Sequence, residues 1–141
     1  MTAELYQTAI MSAARAAHGK GRLADADASA TRDNPLCGDR VTVDIKLADG
    51  RIAAVAHDVR GCALCQAAAS LIGAAAPGLA PADAAALPAA VDAMLAGGAP
   101  PAGVFSRIEM FTPVRAHRSR YDCVKLPFMA LAEACAAAGK S

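Results

Sequence analysis

Four residues in three separate segments have the chemistry of a metal or sulfur site. Cys37 and Asp39 stand in the stretch NPLCGDR, Cys62 follows in RGCALCQ, and Cys123 lies in RYDCVKL. A thiolate is both a nucleophile and a ligand for soft metals, and a carboxylate is a weaker ligand. Three thiolates and one carboxylate would suit zinc or iron–sulfur ligation, and the carboxylate would leave such a site able to exchange a ligand.

The same cysteines have other interpretations. The wide gaps between them are not zinc-finger spacing, and each could be a small buried hydrophobe. Cys62 and Cys65 also form a C-x-x-C pair, which is typical of thiol oxidoreductases, although the βαβ unit that usually carries it is missing. If Cys65 is not part of a redox pair, we expect it to pack beside Cys62 or to receive sulfur in a second step. Cys135 lies within an alanine-rich helix, and we expect it to be a core residue.

The bulk composition predicts one folded domain over residues 1–141. The chain is 55% hydrophobic, and its net charge of +1 gives no footprint for nucleic-acid binding. Five cysteines, an odd number, with no signal peptide argue against a disulfide framework and for a cytoplasmic protein. The most apolar stretch, residues 67–82, is interrupted by glycine and proline, so we expect no membrane span.

The first half of the chain predicts a helix and a strand hairpin. Residues 3–18 have helical periodicity, and residues 19–35 are a polar loop rich in turn formers. Apolar and polar residues then alternate in RVTVDIKL (40–47), with Val41, Val43, Ile45 and Leu47 on one face and Thr42, Asp44 and Lys46 on the other. The Asp-Gly pair at 49–50 predicts a tight turn into a second strand over 51–59.

The second half predicts mainly helices. Residues 62–76 form one, and residues 81–98 form another with a kink or boundary at Pro88. Residues 99–122 are irregular and increasingly basic, and 126–139 are the last helix. The order of helix, strand hairpin and further helices indicates an α+β fold with a small antiparallel sheet.

The candidate ligands fall at the ends of these elements. Cys37 precedes the first strand, Cys62 lies at a strand-to-helix junction, and Cys123 precedes a helix with Pro127 in its first turn and Gly139 as its cap. The free N–H groups and dipole of a helix N-terminus favour a thiolate. Side chains at the ends of different elements can also lie close together, as the ligands of one site must.

A basic cluster precedes Cys123, at Arg115, His117, Arg118 and Arg120. Positive charge would favour the Cys123 thiolate further. The arginines are equally consistent with a solvated loop or with a docking surface for an acidic partner. His117 is expected to be solvated, and His57, on the second strand, to be a satisfied sheet histidine.

The three motifs together resemble the NifU N-terminal/IscU/SufU iron–sulfur assembly proteins. NPLCGDR, RGCALCQAAASLIG and RYDCVKLPFMALAEA follow the family's order and spacing over residues 33–135. The long gap between Cys62 and Cys123 is similar to the SufU type, and no histidine directly precedes Cys123 as one does in IscU. The chain departs from the pattern after its first helix, where His18 is a displaced remnant of the usual motif, and Phe128 replaces a tryptophan.

The resemblance implies a compact α+β fold and a site with Cys37, Cys62 and Cys123 as ligands and Asp39 beside them. In SufU-like members the site holds zinc, and the last cysteine accepts sulfane sulfur from a cysteine desulfurase after a partner histidine displaces it from the metal. In IscU-like members the same cysteines hold a nascent [2Fe–2S] cluster.

Carried over to this chain, Cys123 is the sulfur acceptor and Arg120 orients the partner or the persulfide. The expected partners are a desulfurase and apo iron–sulfur client proteins or carriers, with neither nucleic acid nor membrane. Any catalysis would be at most that of a zinc-dependent sulfurtransferase. The alternatives are a structural zinc-binding module and a C-x-x-C thiol oxidoreductase.

Overall fold

The structure is a computed structural model that describes residues 3–36 and 38–138. Five α-helices and two 3₁₀ segments surround one small sheet within these residues. In chain order the elements are α1 (Ala3–Ala16), β1 (Ala28–Asn34), β2 (Asp39–Ala48), β3 (Arg51–Arg60), α2 (Ala63–Ala75), α3 (Pro81–Ala85), α4 (Leu87–Leu95), the long 3₁₀ segment (Gly103–Ala116), the short 3₁₀ segment (Arg118–Arg120) and α5 (Tyr121–Ala138).

The sheet is antiparallel throughout, in the order β1-β2-β3. The β2–β3 turn has both central residues at positive φ, Asp49 at 53° and Gly50 at 75°, which is the conformation that a tight hairpin with right-handed strand twist requires. The register shifts once, between Lys46 and Leu47. The predicted hairpin and the α+β class are confirmed.

One face of β2 lies in the core. Val41, Val43 and Ile45 are each fully buried, as the alternation predicts. Asp39 has the same parity along the strand, so its carboxylate points to the core side of the sheet at the end of the row. The opposite face differs from the prediction at Asp44, which is 1% exposed and not solvated.

The sequence did not predict β1, because residues 28–34 fall in the stretch predicted to be a loop. Its burial alternates, but its half-buried side chains include only Ala28, Ala30 and Arg32, so no large apolar residue marks the strand. Pairing with β2 holds it in place, with Ala30 opposite Val43 and Asn34 opposite Asp39. Long-range pairing, not local pattern, makes this segment a strand.

The chain leaves α1 two residues earlier than predicted and runs along the sheet edge as a strap, residues 17–21. Ala17 has a φ of 45°, outside the helical region. The His57 N–H donates to the Gly19 carbonyl at 2.9 Å, and the Gly21 N–H donates to the His57 carbonyl at 2.8 Å. The strap therefore pairs with the middle of β3.

The close approach of the strap to α2 depends on glycine. A Cβ on Gly73 would lie 1.9 Å from the His18 carbonyl oxygen, and a Cβ on Gly19 would lie 2.9 Å from the Gly73 Cα. Side chains at these positions would push the strap off the helix.

The helical second half confirms one prediction and needs two corrections. Pro88 does mark a boundary, since α3 ends at Ala85 and α4 begins at Leu87. The stretch 99–122, predicted to be irregular, contains both 3₁₀ segments and the start of α5. Pro127 lies inside α5 and not in its first turn, because the helix begins at Tyr121. Gly139, predicted to cap α5, is outside the described residues.

The early start of α5 has a visible cause. The Tyr121 hydroxyl donates to the carbonyls of Arg115 at 2.7 Å and Leu95 at 3.2 Å, which fixes the first residue of the helix against α4 and the long 3₁₀ segment. Cys123 therefore lies in the first helical turn and not ahead of it.

Candidate metal centre

Three side chains with ligand chemistry converge where the sheet meets two helices. The ligand atoms of Asp39, Cys62 and Cys123 all lie within 4.8 Å of one another. The Cys62 thiol points to the Asp39 Oδ2 atom at 4.0 Å. Asp39 and Cys123 are buried, and Cys62 is partly exposed. These are three of the four residues that the motifs indicate.

Each residue reaches the site from the end of its element. Asp39 is the first residue of β2, and Cys62 is the N-cap of α2 with extended backbone angles. The Cys62 side chain makes no capping hydrogen bond, so its sulfur remains directed to the site. Cys123 is the third residue of α5. The N-terminal ends of two helices thus meet at the site.

The absence of a side chain at Gly61 leaves room for the Asp39 carboxylate at the site. A Cβ on Gly61 would lie 2.9 Å from both Cγ and Oδ1 of Asp39 and 3.2 Å from the Cys65 Cβ. Real Cβ atoms essentially never approach other atoms this closely, so a side chain at 61 would displace the carboxylate. The sequence pattern around Gly61 gives no sign of this packing role.

Asn34 shapes the turn that leads from β1 to Asp39. Its Oδ1 accepts a hydrogen bond from the Leu36 N–H at 3.1 Å, and its carbonyl accepts one from the Gly38 N–H at 2.8 Å. Such an Asx turn fixes the local backbone. The Asn-Pro pair in the sequence was the available signal for it. Cys37, the fourth predicted ligand, lies outside the described residues.

The site opens into a cleft of about 740 Å³. Its lining contains the three described ligand residues, the turn and the short 3₁₀ segment. The lining residues are Asn34, Leu36, Asp39, Cys62, Arg118, Ser119, Arg120, Asp122 and Cys123. Leu36 is 92% exposed at the rim. Arg120, predicted to act here, does line the cleft.

The basic cluster divides into two parts. The Arg115 guanidinium donates to the carbonyls of Met94 at 2.8 Å and Gly98 at 2.6 Å, so it secures the end of α4 and has no role at the site. Arg118 and Arg120 are exposed, and within the described part of the chain their guanidinium groups form no ion pair. The cleft lining thus contains two exposed arginines together with two carboxylates, those of Asp39 and Asp122.

The remaining described cysteines are deeply buried. Cys65 has 0% exposure, one helical turn beyond Cys62. Cys135 is 3% exposed in the core, and burial raises the pKa of its thiol to about 11. A thiol that stays protonated is a poor nucleophile and ligand, so Cys135 is a core residue, as the sequence predicted.

The histidines do not join the site. His57 is 3% exposed, and its Nε2 lies 2.6 Å from the His18 carbonyl oxygen, so Nε2 carries the proton. Its Nδ1 is buried with no hydrogen-bond partner among the described residues, so the predicted satisfied histidine is satisfied at one nitrogen only. Burial lowers the pKa of His57, which keeps the ring neutral. His117 is exposed, as predicted.

The described donor set fits a soft metal ion or an iron–sulfur cluster. Zinc–sulfur bonds of about 2.3 Å and zinc–oxygen bonds of about 2.0–2.2 Å bring tetrahedral ligand atoms to within roughly 4 Å of each other. The observed separations are within 1 Å of that arrangement. Two thiols and a carboxylate favour zinc or iron over magnesium or calcium, which prefer oxygen ligands.

Sequence comparison places the chain in a known family. The model of the family described as "NifU-like N terminal domain" matches residues 5–105, most of the chain. The protein therefore belongs to the NifU-like N-terminal domain family. The match includes Asp39 and Cys62 and ends before Cys123. No curated protein sequence matched the chain.

Solved structures support the same assignment. A nitrogen-fixing NifU-like protein (N-terminal) from Brucella abortus is 33% identical, with a TM-score of 0.92, covering 98% of this chain and 96% of that one. A hypothetical protein is 26% identical, with a TM-score of 0.84 and coverage of 96% and 99%. A putative iron–sulfur cluster assembly scaffold protein for the SUF system from Fervidobacterium islandicum AW-1 has the same TM-score and coverage at 24% identity, which shows a shared fold.

Proposed function

We propose that this protein is an iron–sulfur cluster assembly scaffold that accepts sulfane sulfur at Cys123 and holds its cargo at a Cys₃/Asp site. The convergence of Asp39, Cys62 and Cys123 within 4.8 Å carries the proposal. Family membership supports it, because the family match over residues 5–105 includes Asp39 and Cys62.

Cys37 is the third thiolate in this proposal. Its chain neighbour Leu36 and the nearby Asp39 both line the cleft. The Asx turn at Asn34 holds the backbone on either side of Cys37 through Leu36 and Gly38. A thiolate there would complete a set of three sulfurs and one oxygen.

Sulfur transfer uses Cys123 as the nucleophile. Its thiolate attacks the terminal sulfur of a persulfide on a donor protein, and a new sulfur–sulfur bond forms on Cys123 as the donor's sulfur–sulfur bond breaks. The donor cysteine leaves as a thiolate, the persulfide proton stays with the transferred sulfur, and no external oxidant is needed. The first turn of α5 favours negative charge at this position, and Arg118 and Arg120 line the same cleft as Asp39 and Asp122.

The cargo is either zinc or iron with sulfide, and the same residues hold both. Asp39 is the ligand that exchanges most readily, since a carboxylate binds soft metals less tightly than a thiolate does. The partners are a cysteine desulfurase, which supplies sulfur, and apo client proteins or carriers, which receive the cluster.

The first experiment is the quantification of zinc, iron and acid-labile sulfide in protein purified without oxygen. Iron with matching sulfide identifies a scaffold, whereas about one zinc per chain without sulfide fits either a SufU-like sulfur acceptor or a structural zinc module, which sulfur uptake on Cys123 then separates. Protein that takes up none of these, alone or with a desulfurase and L-cysteine, would overturn the proposal and favour thiol chemistry at Cys62 and Cys65.

A second test uses the rate of cargo exchange. Asp39→Ala removes the weakest ligand, so bound metal or cluster should transfer to a chelator more slowly than from the wild type. Asp33→Ala, an exposed carboxylate on β1, is the control and should leave the rate unchanged. Faster release from Asp39→Ala than from both other proteins would show that the carboxylate stabilises the cargo and does not make it labile.

Burial favours one alternative, a structural zinc module. Asp39 is 5% exposed and Cys123 is 2% exposed, as in a site that holds its metal permanently. Such a module would retain zinc tightly and would gain no sulfur from a desulfurase. Sulfur uptake on Cys123, measured by mass spectrometry, separates the two functions.

A further inference from the structure

A second concavity lies beside the cleft, between α1, the start of α2 and the long 3₁₀ segment. This groove has a volume of about 430 Å³. Its lining residues are Gln7, Ile10, Leu64, Pro113, Val114, His117, Ser119 and Arg120. Four of these eight are apolar and form its floor.

The groove and the cleft are continuous. Ser119 and Arg120 line both, so the short 3₁₀ segment is the shared wall. Leu64, on the groove floor, is two residues from Cys62 in the cleft. A protein that brings its sulfur to Cys123 must cover this wall, and a segment crossing it enters the groove.

The polar groups of the groove define what it can accept. They are Gln7, His117, Ser119 and Arg120, so the lining among the described residues has a cation at one end and no carboxylate. On the cleft side of the wall Arg118 and Asp122 carry opposite charges, so Arg120 is the charge that the groove itself presents. Arg115 is bound to carbonyls and does not contribute. The complementary ligand has an apolar side chain next to an acidic one.

We propose that the groove docks a segment of the sulfur-donating desulfurase, with an apolar side chain on Leu64 and a carboxylate at Arg120. The proposal rests on the sulfur-acceptor function proposed above. It assigns recognition of the donor protein to a surface that is separate from the ligand residues.

The first experiment changes only charge, at an exposed helix position. Gln7→Glu is nearly isosteric and places a negative charge in the groove, whereas Gln7→Lys adds a positive one. Sulfur transfer from a cysteine desulfurase of the same organism, driven by L-cysteine, is followed by mass spectrometry at limiting acceptor concentration. Gln7→Glu should lower the transfer rate roughly three- to tenfold, and Gln7→Lys should match or exceed the wild type. Equal rates for both variants would overturn the charge assignment.

The second experiment separates docking from chemistry. Leu64→Asp should lower transfer from the desulfurase about tenfold or more, the loss typical of a central contact. Transfer from glutathione persulfide, which needs no docking, and zinc content should stay at wild-type values. Leu47→Asp is the control, because Leu47 is also partly buried against the core but lies on β2 outside the groove lining.

The outcomes distinguish a failure of docking in the groove from a failure of the sulfur-acceptor function. Wild-type transfer by Leu64→Asp, or equal loss with both donors, would overturn docking in the groove. A wild-type protein that takes sulfur from neither donor would instead overturn the sulfur-acceptor function.

Discussion

At the scale of single residues, Cys62 and Cys123 differ from the other described cysteines in what surrounds them. Both lie at helix N-termini and both line an open cleft, whereas Cys65 and Cys135 are enclosed by apolar side chains. Thiolate formation needs a favourable dipole or charge and access to solvent or a ligand. The surroundings therefore bring Cys62 and Cys123, and neither of the other two described cysteines, to the candidate site.

Cys123→Ala should abolish sulfur uptake from a desulfurase while most of the fold is retained, because it removes the nucleophile. The measurement is the gain of one sulfur atom per chain by mass spectrometry, with circular dichroism for folding. Cys135→Ala is the control and should take up sulfur normally, since burial raises the pKa of that thiol to about 11. Wild-type uptake by Cys123→Ala would move the acceptor role to another cysteine.

Gly61→Ala should slow the transfer of bound metal or cluster to a chelator, in the same direction as Asp39→Ala, because it displaces the same carboxylate. The added methyl group would overlap the Asp39 carboxylate, 2.9 Å away. The rate of transfer to a chromophoric zinc chelator measures the change. Gly50→Ala, at a positive φ in the distant hairpin turn, controls for general destabilisation and should transfer its metal at the wild-type rate. A wild-type rate in Gly61→Ala as well would mean that the position of the Asp39 carboxylate does not set the lability of the cargo.

At the scale of elements, the sequence predicts well where the pattern is local. The alternation of β2 predicts its core face, and the Asp-Gly pair predicts the hairpin turn. Both depend on side-chain direction and backbone preference, which a short stretch of sequence contains. The motifs likewise locate the described ligands, because each lies at a recognisable element end.

The elements that the sequence did not predict depend on distant contacts. β1 has only small or polar residues on its inner face, so its pairing with β2 decides its structure. The start of α5 depends on Tyr121, whose hydroxyl binds carbonyls of two other elements. Pro127 suggested a later start because proline favours first turns, a preference that tertiary contacts override here. The groove also joins four elements, so no single stretch of sequence indicates it.

His57, the β3 residue that pairs with the strap, should make the free energy of unfolding depend on pH. Burial lowers the pKa of His57 in the folded protein below its ordinary value of about 6.5. Between those two pKa values the unfolded state binds more protons, so stability should fall as pH drops below about 6.5. His57→Gln, which keeps a donor for the His18 carbonyl, should lose less stability than the wild type between pH 7.5 and pH 5.5, values chosen to bracket that pKa.

Urea unfolding at several pH values measures this difference. The other titrating groups are the same in both proteins, so their contribution to the pH dependence of stability cancels in the comparison. Parallel stability curves for wild type and His57→Gln would show that His57 titrates alike in the folded and unfolded states.

At the scale of the whole molecule, Asp44 ties the segment after the strap to the sheet. Its carboxylate accepts hydrogen bonds from the Arg22 guanidinium at 2.7 and 3.1 Å, from the Leu23 N–H at 3.0 Å and from the Ser29 hydroxyl. Burial opposes ionisation, but these hydrogen bonds outweigh it and lower the pKa of Asp44. One buried carboxylate thus joins three parts of the chain.

Asp44→Asn should lower the free energy of unfolding by about 1–3 kcal/mol at neutral pH, as expected for lost hydrogen bonds to a charged group. Because the folded pKa is depressed, this contribution is present above the unfolded pKa of about 3.9 and is lost as pH falls through the folded value. The gap between wild type and variant in urea unfolding should therefore close in strong acid. Asp33→Asn, at an exposed ion pair, should change stability little. A gap that stays constant with pH would contradict the assignment.

The strap also affects how the sheet meets other chains. An open strand edge presents unpaired N–H and carbonyl groups that can template pairing with a neighbouring polypeptide. Residues Gly19 and Gly21 occupy those groups of His57 at the centre of β3. A second strand cannot add along the full length of that edge, so the protein is protected there against sheet extension and aggregation. The close glycine packing that brings the strap against α2 therefore also covers the β3 edge at His57.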